Sequence, residues 1–125
     1  MDIHPKKVLI IDDDEQMARV YEIKLGQEGI GALIAKTGED GLQKMIAEKP
    51  QIVLLDLMLQ KQDGFWVLEE MDKRPELKAL PVIVLSNLSQ KIDEERALSL
   101  GARYYMVKAN VSLQEVVDKV KQFLD

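Results

Sequence analysis

An aspartate stands inside one of the most apolar stretches of this chain, QIVLLDLMLQ at positions 51–60. A carboxylate among aliphatic neighbours costs several kcal/mol unless another group neutralises it or water solvates it. Polar side chains follow three other apolar runs in the same way, and the whole set is Asp12–Asp14, Asp56, Ser86–Asn87 and Lys108. Asp56 is therefore predicted to be a side chain presented for chemistry.

This set of side chains suits phosphoryl transfer. An aspartate carboxylate can attack phosphorus and form an acyl phosphate. Crowded carboxylates repel one another and raise each other's pKa unless they share protons or bind a cation, and a hard divalent ion such as Mg²⁺ prefers oxygen ligands. Lys108 would add a positive charge and Ser86 a hydroxyl, and the metal and the lysine would neutralise the phosphoryl oxygens.

Each of these residues also has a purely structural explanation. The three acids at positions 12–14 could cap a helix, because carboxylates favour helix N-termini. Asp56 alone could be a loop acid, Ser86 a turn residue and Lys108 a solvated lysine. Because the residues occur together at four strand ends, we interpret them as one site.

Five short apolar runs predict the strands that position these groups, at residues 8–11, 32–35, 52–55, 82–85 and 104–107. Their branched and aromatic residues are typical of strands buried on both faces. Helical segments alternate with them, which predicts an α/β fold, a (βα)₅ doubly wound parallel five-stranded sheet. In the flavodoxin-like strand order 2-1-3-4-5, Asp12, Asp13 and Asp56 converge at the carboxyl edge, where ligands bind.

Apolar residues at helical spacing predict five helices, with looser spacing in the fourth and one clear stripe in the fifth. The residues are Met17, Val20, Tyr21 and Leu25; Leu42, Met45 and Ile46; Phe65, Leu68 and Met71; Ile92, Leu98 and Leu100; and Val116, Val117, Val120 and Leu124. Ser112 and Glu115 predict a capping box, and Gly29 and Gly101 fit helix ends. Trp66 is either a core residue or an exposed partner contact.

Length and composition predict one domain over residues 1–125, ordered over about 6–125, with no output domain. A formal net charge of −5 disfavours DNA or RNA as a direct partner. No apolar run approaches the roughly 20 residues needed for membrane insertion. The lack of cysteine and of a signal peptide is consistent with a cytoplasmic protein. His4 is predicted to be a tail residue.

These motifs resemble the receiver domain of bacterial two-component response regulators, the chemotaxis-regulator-like fold, over essentially the whole chain. VLIIDDDEQM resembles the first strand with its acidic pair, and IVLLDLML with the following Asp63-Gly64 turn resembles the phosphoacceptor segment. PVIVLS resembles the strand that carries the switch hydroxyl, and YYMVK the strand that ends in the phosphate-contacting lysine. Together these motifs are highly specific.

The resemblance implies a role for each site residue. Asp56 is the implied phosphoacceptor, assisted by Lys108, Ser86 and Asp12. The implied cofactor is Mg²⁺ (or Mn²⁺), held by Asp13, Asp56 and the backbone carbonyl of Met58, with Asp12 binding through water. Ser86 and Tyr105 are the implied switch residues.

The implied function is a phosphorylation-activated signalling switch. It is not an enzyme with an external substrate, although it assists its own phosphorylation and dephosphorylation. A sensor histidine kinase or a histidine phosphotransfer protein would donate the phosphoryl group. Ser86 would then move inward and Tyr105 would follow, remodelling the face of the fourth helix, fifth strand and fifth helix. That face would control a downstream effector or an output domain, and it could support a homodimer.

The chain departs from the family pattern at three positions, and two of these departures, at Asn87 and Ala109, motivate an alternative. Ala109 replaces a common cis-proline, Asn87 a small alanine and Gln60 a proline. The alternative is a pseudo-receiver, an interaction module of the same fold that does not depend on phosphorylation. A flavin or nucleotide binder is disfavoured because no glycine-rich loop follows the first strand. A haloacid-dehalogenase-like phosphatase is disfavoured because Asp56 lacks the second aspartate of that motif.

Overall fold

The computed structural model describes residues 6–124, which form a parallel sheet flanked by helices. The strands are β1 (Lys6–Ile11), β2 (Gly31–Ala35), β3 (Ile52–Leu55), β4 (Val82–Ser86) and β5 (Tyr104–Val107). The helices are α1 (Glu15–Gln27), α2 (Gly38–Glu48), α3 (Gly64–Asp72), α4 (Lys91–Ser99) and α5 (Leu113–Phe123). The strand order is β2-β1-β3-β4-β5 and every pairing is parallel, so the predicted fold is confirmed.

The two faces of the sheet carry separate apolar clusters, because successive strand residues point to opposite sides. Leu9, Val53 and Val84 face one cluster, which buries residues of α2, α3 and α4. Ile10 and Leu54 face the other cluster, which buries residues of α1 and α5. The sheet is therefore covered on both faces, as the doubly wound arrangement requires.

Four of the apolar residues that marked the helical spacing are exposed. The exposed fractions are 39% for Val20, 49% for Ile46, 70% for Ile92 and 42% for Leu98. Only Ala97 is buried on α4, so the loosely spaced apolar residues of that helix form no buried stripe. Burial of strands on both faces is also wrong for β5, where Tyr104 is 39% exposed because β5 lies at the sheet edge.

The predicted helix ends are confirmed. Ser112 and Glu115 form a capping box at the start of α5. Gly29 and Gly101 follow the ends of α1 and α4 with φ of 80° and 112°, a left-handed conformation that glycine adopts without a Cβ penalty. Within residues 6–124, no helix is both long enough and apolar enough to cross a membrane. His4 lies outside the described residues.

Candidate functional site at the carboxyl edge of the sheet

The backbone ladder continues past the strands and fixes both central acids. The Asp56 amide donates to the carbonyl of Ile11 at 3.0 Å, and the Asp12 amide donates to the carbonyl of Ala35 at 3.0 Å. These bonds hold the residues after β1 and β3 side by side. Of the three acids predicted to converge, Asp12, Asp13 and Asp56, the strand order brings Asp12 and Asp56 directly to one edge.

Lys108 bridges these two acids from the end of β5. Its Nζ lies 2.8 Å from Asp12 Oδ2 and 2.9 Å from Asp56 Oδ2. The exposed side-chain fractions are 12% for Lys108, 4% for Asp12 and 9% for Asp56. One cation therefore serves two nearly buried carboxylates, and Lys108 is not the solvated lysine of the structural explanation.

The second carboxylate oxygen of Asp56 accepts two further hydrogen bonds. Ser86 Oγ donates to Asp56 Oδ1 at 2.9 Å, and the Met58 amide donates to the same oxygen at 2.9 Å. The Ser86 side chain is fully buried. Asp56 therefore has donors on both oxygens, which is how a buried carboxylate avoids the cost of lost hydration.

The three consecutive acids after β1 have different roles. Asp14 is exposed and caps α1, since its Oδ1 accepts from the amides of Gln16 at 3.1 Å and Met17 at 3.2 Å. Asp13 Oδ2 accepts instead from the Gln60 amide at 3.1 Å. The capping explanation is thus correct for Asp14, while Asp12 and Asp13 face the groups that follow β3 and β5.

Burial sets the direction of the Asp12 pKa. Burial raises the pKa of this carboxyl above its usual 3.8, and the hydrogen bond from Lys108 opposes that shift. The charge of Asp56 adds a smaller upward contribution. Burial lowers the pKa of the Lys108 ammonium, but its hydrogen bonds to Asp12 and Asp56 outweigh burial and raise it. Repulsion between the acids is therefore secondary to burial.

The donor set is consistent in its chemistry with a hard divalent cation. Every candidate ligand is an oxygen, from the carboxylates of Asp12, Asp13 and Asp56 and the backbone carbonyl of Met58, and Mg²⁺ prefers such ligands. In residues 6–124 no three acidic or histidine side chains converge as a metal-binding group. Lys108 occupies the space between Asp12 and Asp56, so a cation would have to share their charge with it.

Both predicted switch residues, Ser86 and Tyr105, form hydrogen bonds with Leu88 in the loop after β4. Tyr105 is half-buried, and its hydroxyl donates to the Leu88 carbonyl at 2.6 Å. Burial, followed by the charges of Asp93 and Glu94, raises the pKa of Tyr105 to about 12. Ser86 Oγ contacts Asp56 directly in this conformation, so the predicted switch hydroxyl lies at the site.

The departures noted in the sequence have simple structural outcomes. Residues 6–124 contain no cis peptide bond, and Lys108–Asn110 forms a short 3₁₀ turn. Asn87 is exposed. Gln60 contributes a backbone N–H to Asp13, which a proline could not donate. Trp66 is half-buried against the α2–α3–α4 cluster, between the two predicted alternatives.

Sequence reasoning treated Gly64 only as part of a turn. A Cβ at this position would lie 2.6 Å from Leu57 Cα and 2.7 Å from the Asp56 carbonyl oxygen. The Gly64 amide donates to the Leu57 carbonyl at 3.1 Å, and Asp63 caps α3 by accepting from the Trp66 amide at 2.8 Å. The Asp-Gly pair was a visible signal for a turn, but not for this close approach to the Asp56–Leu57 backbone.

The strand order and the polar edge define a flavodoxin-like α/β domain with an acidic site. The family model for the response regulator receiver domain matches residues 8–121, and the chain belongs to this family of two-component signalling domains. It is 34% identical over 119 residues to the alkaline phosphatase synthesis transcriptional regulatory protein PhoP of Bacillus subtilis, covering 95% of this chain and 48% of PhoP. The chain spans about half the length of the curated relatives it matches.

Solved receiver domains share this architecture. The Francisella response regulator 1452 receiver domain superposes with a TM-score of 0.86 at 27% identity, covering 94% of this chain and 95% of that one. A CheY-like response regulator receiver domain protein from Methanospirillum hungatei superposes with a TM-score of 0.83 at 28% identity, covering 94% and 91%. These matches agree with the sheet topology.

Proposed function

We propose that this chain is a phosphorylation-operated switch whose phosphoacceptor is Asp56. The observation that carries the proposal is the pair of donors on that carboxylate, Lys108 on one oxygen and Ser86 on the other. Both groups can also donate hydrogen bonds to the oxygens of a phosphoryl group on Asp56, because an ammonium and a hydroxyl are both donors.

The proposed step is an in-line displacement at phosphorus. A carboxylate oxygen of Asp56 bonds to phosphorus while the P–N bond of a phosphohistidine breaks and its electron pair stays on the imidazole nitrogen. With a small donor such as acetyl phosphate, the P–O bond breaks and acetate leaves. Lys108 and Ser86 then donate to the equatorial oxygens of the acyl phosphate.

Asp13, Asp56 and the carbonyl of Met58 would hold Mg²⁺ or Mn²⁺, with Asp12 contributing through water. When bound, the ion supplies positive charge next to the phosphoryl oxygens. The protein residues orient Asp56 and keep its carboxylate partly dehydrated, which strengthens these electrostatic contacts. The chain assists its own phosphorylation and dephosphorylation and has no external substrate.

The proposed partners follow from the same chemistry. A sensor histidine kinase or a histidine phosphotransfer protein donates the phosphoryl group in the cytoplasm. The face of α4, β5 and α5 then binds a downstream effector, an output domain or a second copy of the chain. Ile92 and Tyr104 support this part of the proposal, since both apolar side chains are exposed on that face.

Intact mass after treatment with acetyl phosphate and Mg²⁺ tests the proposal. Wild-type protein should gain one phosphoryl group, and Asp56→Asn should gain none. Asp63→Asn is the matched control, because asparagine also caps a helix and position 63 lies outside the carboxylate cluster. Equal labelling of Asp56→Asn would contradict the proposal, and failure of the wild type both to label and to bind Mg²⁺ would favour the pseudo-receiver.

A further inference from the structure

Arg96 on α4 contacts the first turn of α3. The guanidinium carbon of Arg96 lies 4.0 Å from the centroid of the Phe65 ring, and Phe65 is 6% exposed. A cation over an aromatic face is attracted by the ring quadrupole, and here an exposed guanidinium lies over a buried ring, which gives a contact of the strength typical of exposed sites. This contact joins α4 to a residue that the sequence assigned only to the core.

Phe65 is closely connected to the backbone of the phosphoacceptor. It follows Gly64, whose amide donates to the Leu57 carbonyl at 3.1 Å and whose Cα packs directly on the Asp56–Leu57 backbone. Since the first turn of α3 has no free space at this point, a shift of the loop after Asp56 must displace Phe65 as well.

Helix α4 buries little of its own surface. Ala97 is its only buried residue, and Gln90 at its N-cap makes no side-chain hydrogen bond. Ile92 in its first turn is 70% exposed. A helix with so little buried apolar surface has low local stability, so a single contact of ordinary strength contributes a large share of what holds it.

We propose that Arg96 is a positioning residue that couples α4 to the loop carrying Asp56. This route is separate from the one through Ser86, Leu88 and Tyr105, because it passes through α3. The signalling part of the inference rests on the proposed function: a phosphoryl group on Asp56 shifts the loop, Phe65 moves with it, and Arg96 transmits the shift to α4.

Amide hydrogen exchange of unphosphorylated protein tests the coupling itself. Arg96→Gln removes the charge at similar length, and it should speed exchange about two- to fivefold in both α4 and residues 57–63. Arg96→Lys, which keeps the charge, should restore most of the protection. Phe65→Leu should have the same two-site effect, and the double variant should show less than the sum of the two single effects.

Lys119 provides a matched control, since it makes the same kind of contact between α5 and β5: its Nζ lies 4.0 Å from the centroid of the Tyr104 ring. Lys119→Gln should leave exchange of residues 57–63 unchanged. A change confined to α4 in Arg96→Gln, or strictly additive effects in the double variant, would overturn the coupling. An equal change in residues 57–63 for Lys119→Gln would overturn it too, because the effect would not be specific to Arg96.

The signalling part has its own measurement. Acetyl phosphate with Mg²⁺ should change exchange in α4 of the wild type, and Arg96→Gln should reduce that change at least about twofold. An undiminished change would overturn transmission through Arg96. If the wild type is not labelled at Asp56, the proposed function fails, while the exchange comparison of unphosphorylated variants still decides whether Arg96 and Phe65 are coupled.

Discussion

At the scale of single residues, Lys108 is the charge on which the site depends. It is the cation that both Asp12 and Asp56 contact, and all three side chains are nearly buried. Removing one partner of a buried ion pair leaves uncompensated charge. On the proposed chemistry, the residue that prepares Asp56 for phosphate is therefore also expected to stabilise the unmodified domain.

Lys108→Met should lower the free energy of unfolding by about 3–5 kcal/mol at neutral pH, because two buried carboxylates would lose their cation. Urea unfolding measures this loss. Lys121→Met is the control, since Lys121 pairs with Glu28 at the surface, and such pairs contribute about 1 kcal/mol or less. Equal losses in the two variants would show that Lys108 is an ordinary surface lysine.

Asp12→Asn should change how stability depends on pH. Burial raises the folded-state pKa of Asp12 above 3.8, so wild-type stability from the protonated carboxyl is present below that value and is lost as pH rises through the raised pKa. The free energy of unfolding of Asp12→Asn minus that of wild type should therefore increase with pH above 3.8.

Glu70→Gln is the control for that measurement, because its stability difference from wild type should change with pH in the opposite direction. Hydrogen bonds from Lys73 and Arg74 lower the pKa of Glu70 below 4.5, so its contribution is present above that value and is lost on acidification. The variant-minus-wild-type difference should fall as pH rises toward 4.5. Denaturant unfolding across this pH range gives both slopes, and slopes of the same sign would refute the assignment for Asp12.

At the scale of the element, the loop between β3 and α3 is held by a glycine that has no room for a side chain. Gly64→Ala should destabilise the protein by about 1–3 kcal/mol and slow phosphorylation of Asp56, since the new Cβ would press on backbone atoms. A Cβ at Gly26 in α1 would have no neighbouring atom within 4 Å, so Gly26→Ala should be neutral or stabilising. Thermal unfolding and labelling rates compare them, and an unaffected Gly64→Ala would disprove the close approach.

Elements were predictable from sequence where local chemistry determines them. The capping box at Ser112 and the left-handed glycines at 29 and 101 act within a few residues, and the structure has them as predicted. Spacing did not show how little of α4 is covered, since Ile92 is apolar but 70% exposed. Apolar spacing indicates a helix face, but whether that face is covered depends on tertiary contacts.

At the scale of the whole molecule, strand order determined most of the site. The order 2-1-3-4-5 was enough to bring positions 12 and 56 together. It could not show that Lys108 bridges them or that Asp13 bonds Gln60, because those contacts depend on side-chain rotamers and on the course of the β3–α3 loop. The link from Phe65 to Arg96 was hidden for the same reason.

Mg²⁺ binding should raise the thermal stability of the whole domain. A ligand that binds only the folded state stabilises it by mass action, so MgCl₂ should raise the thermal midpoint when NaCl keeps ionic strength constant. Asp13→Asn should reduce the rise, and Asp14→Asn, which keeps a capping side chain, should retain it. Differential scanning fluorimetry measures this, and an equal rise in Asp13→Asn would place the ion elsewhere.

The candidate site is built from residues at the ends of four strands, which lie between positions 12 and 108 of the chain. The last of these strands, β5, lies at the margin of the sheet. A chain in which β5 has not yet joined the sheet has Asp56 in place but lacks the ammonium of Lys108, which follows β5. On the proposed chemistry, such incompletely folded molecules would not accept a phosphoryl group from the kinase. The amount of acyl phosphate in a cell would then reflect only the domains that have finished folding.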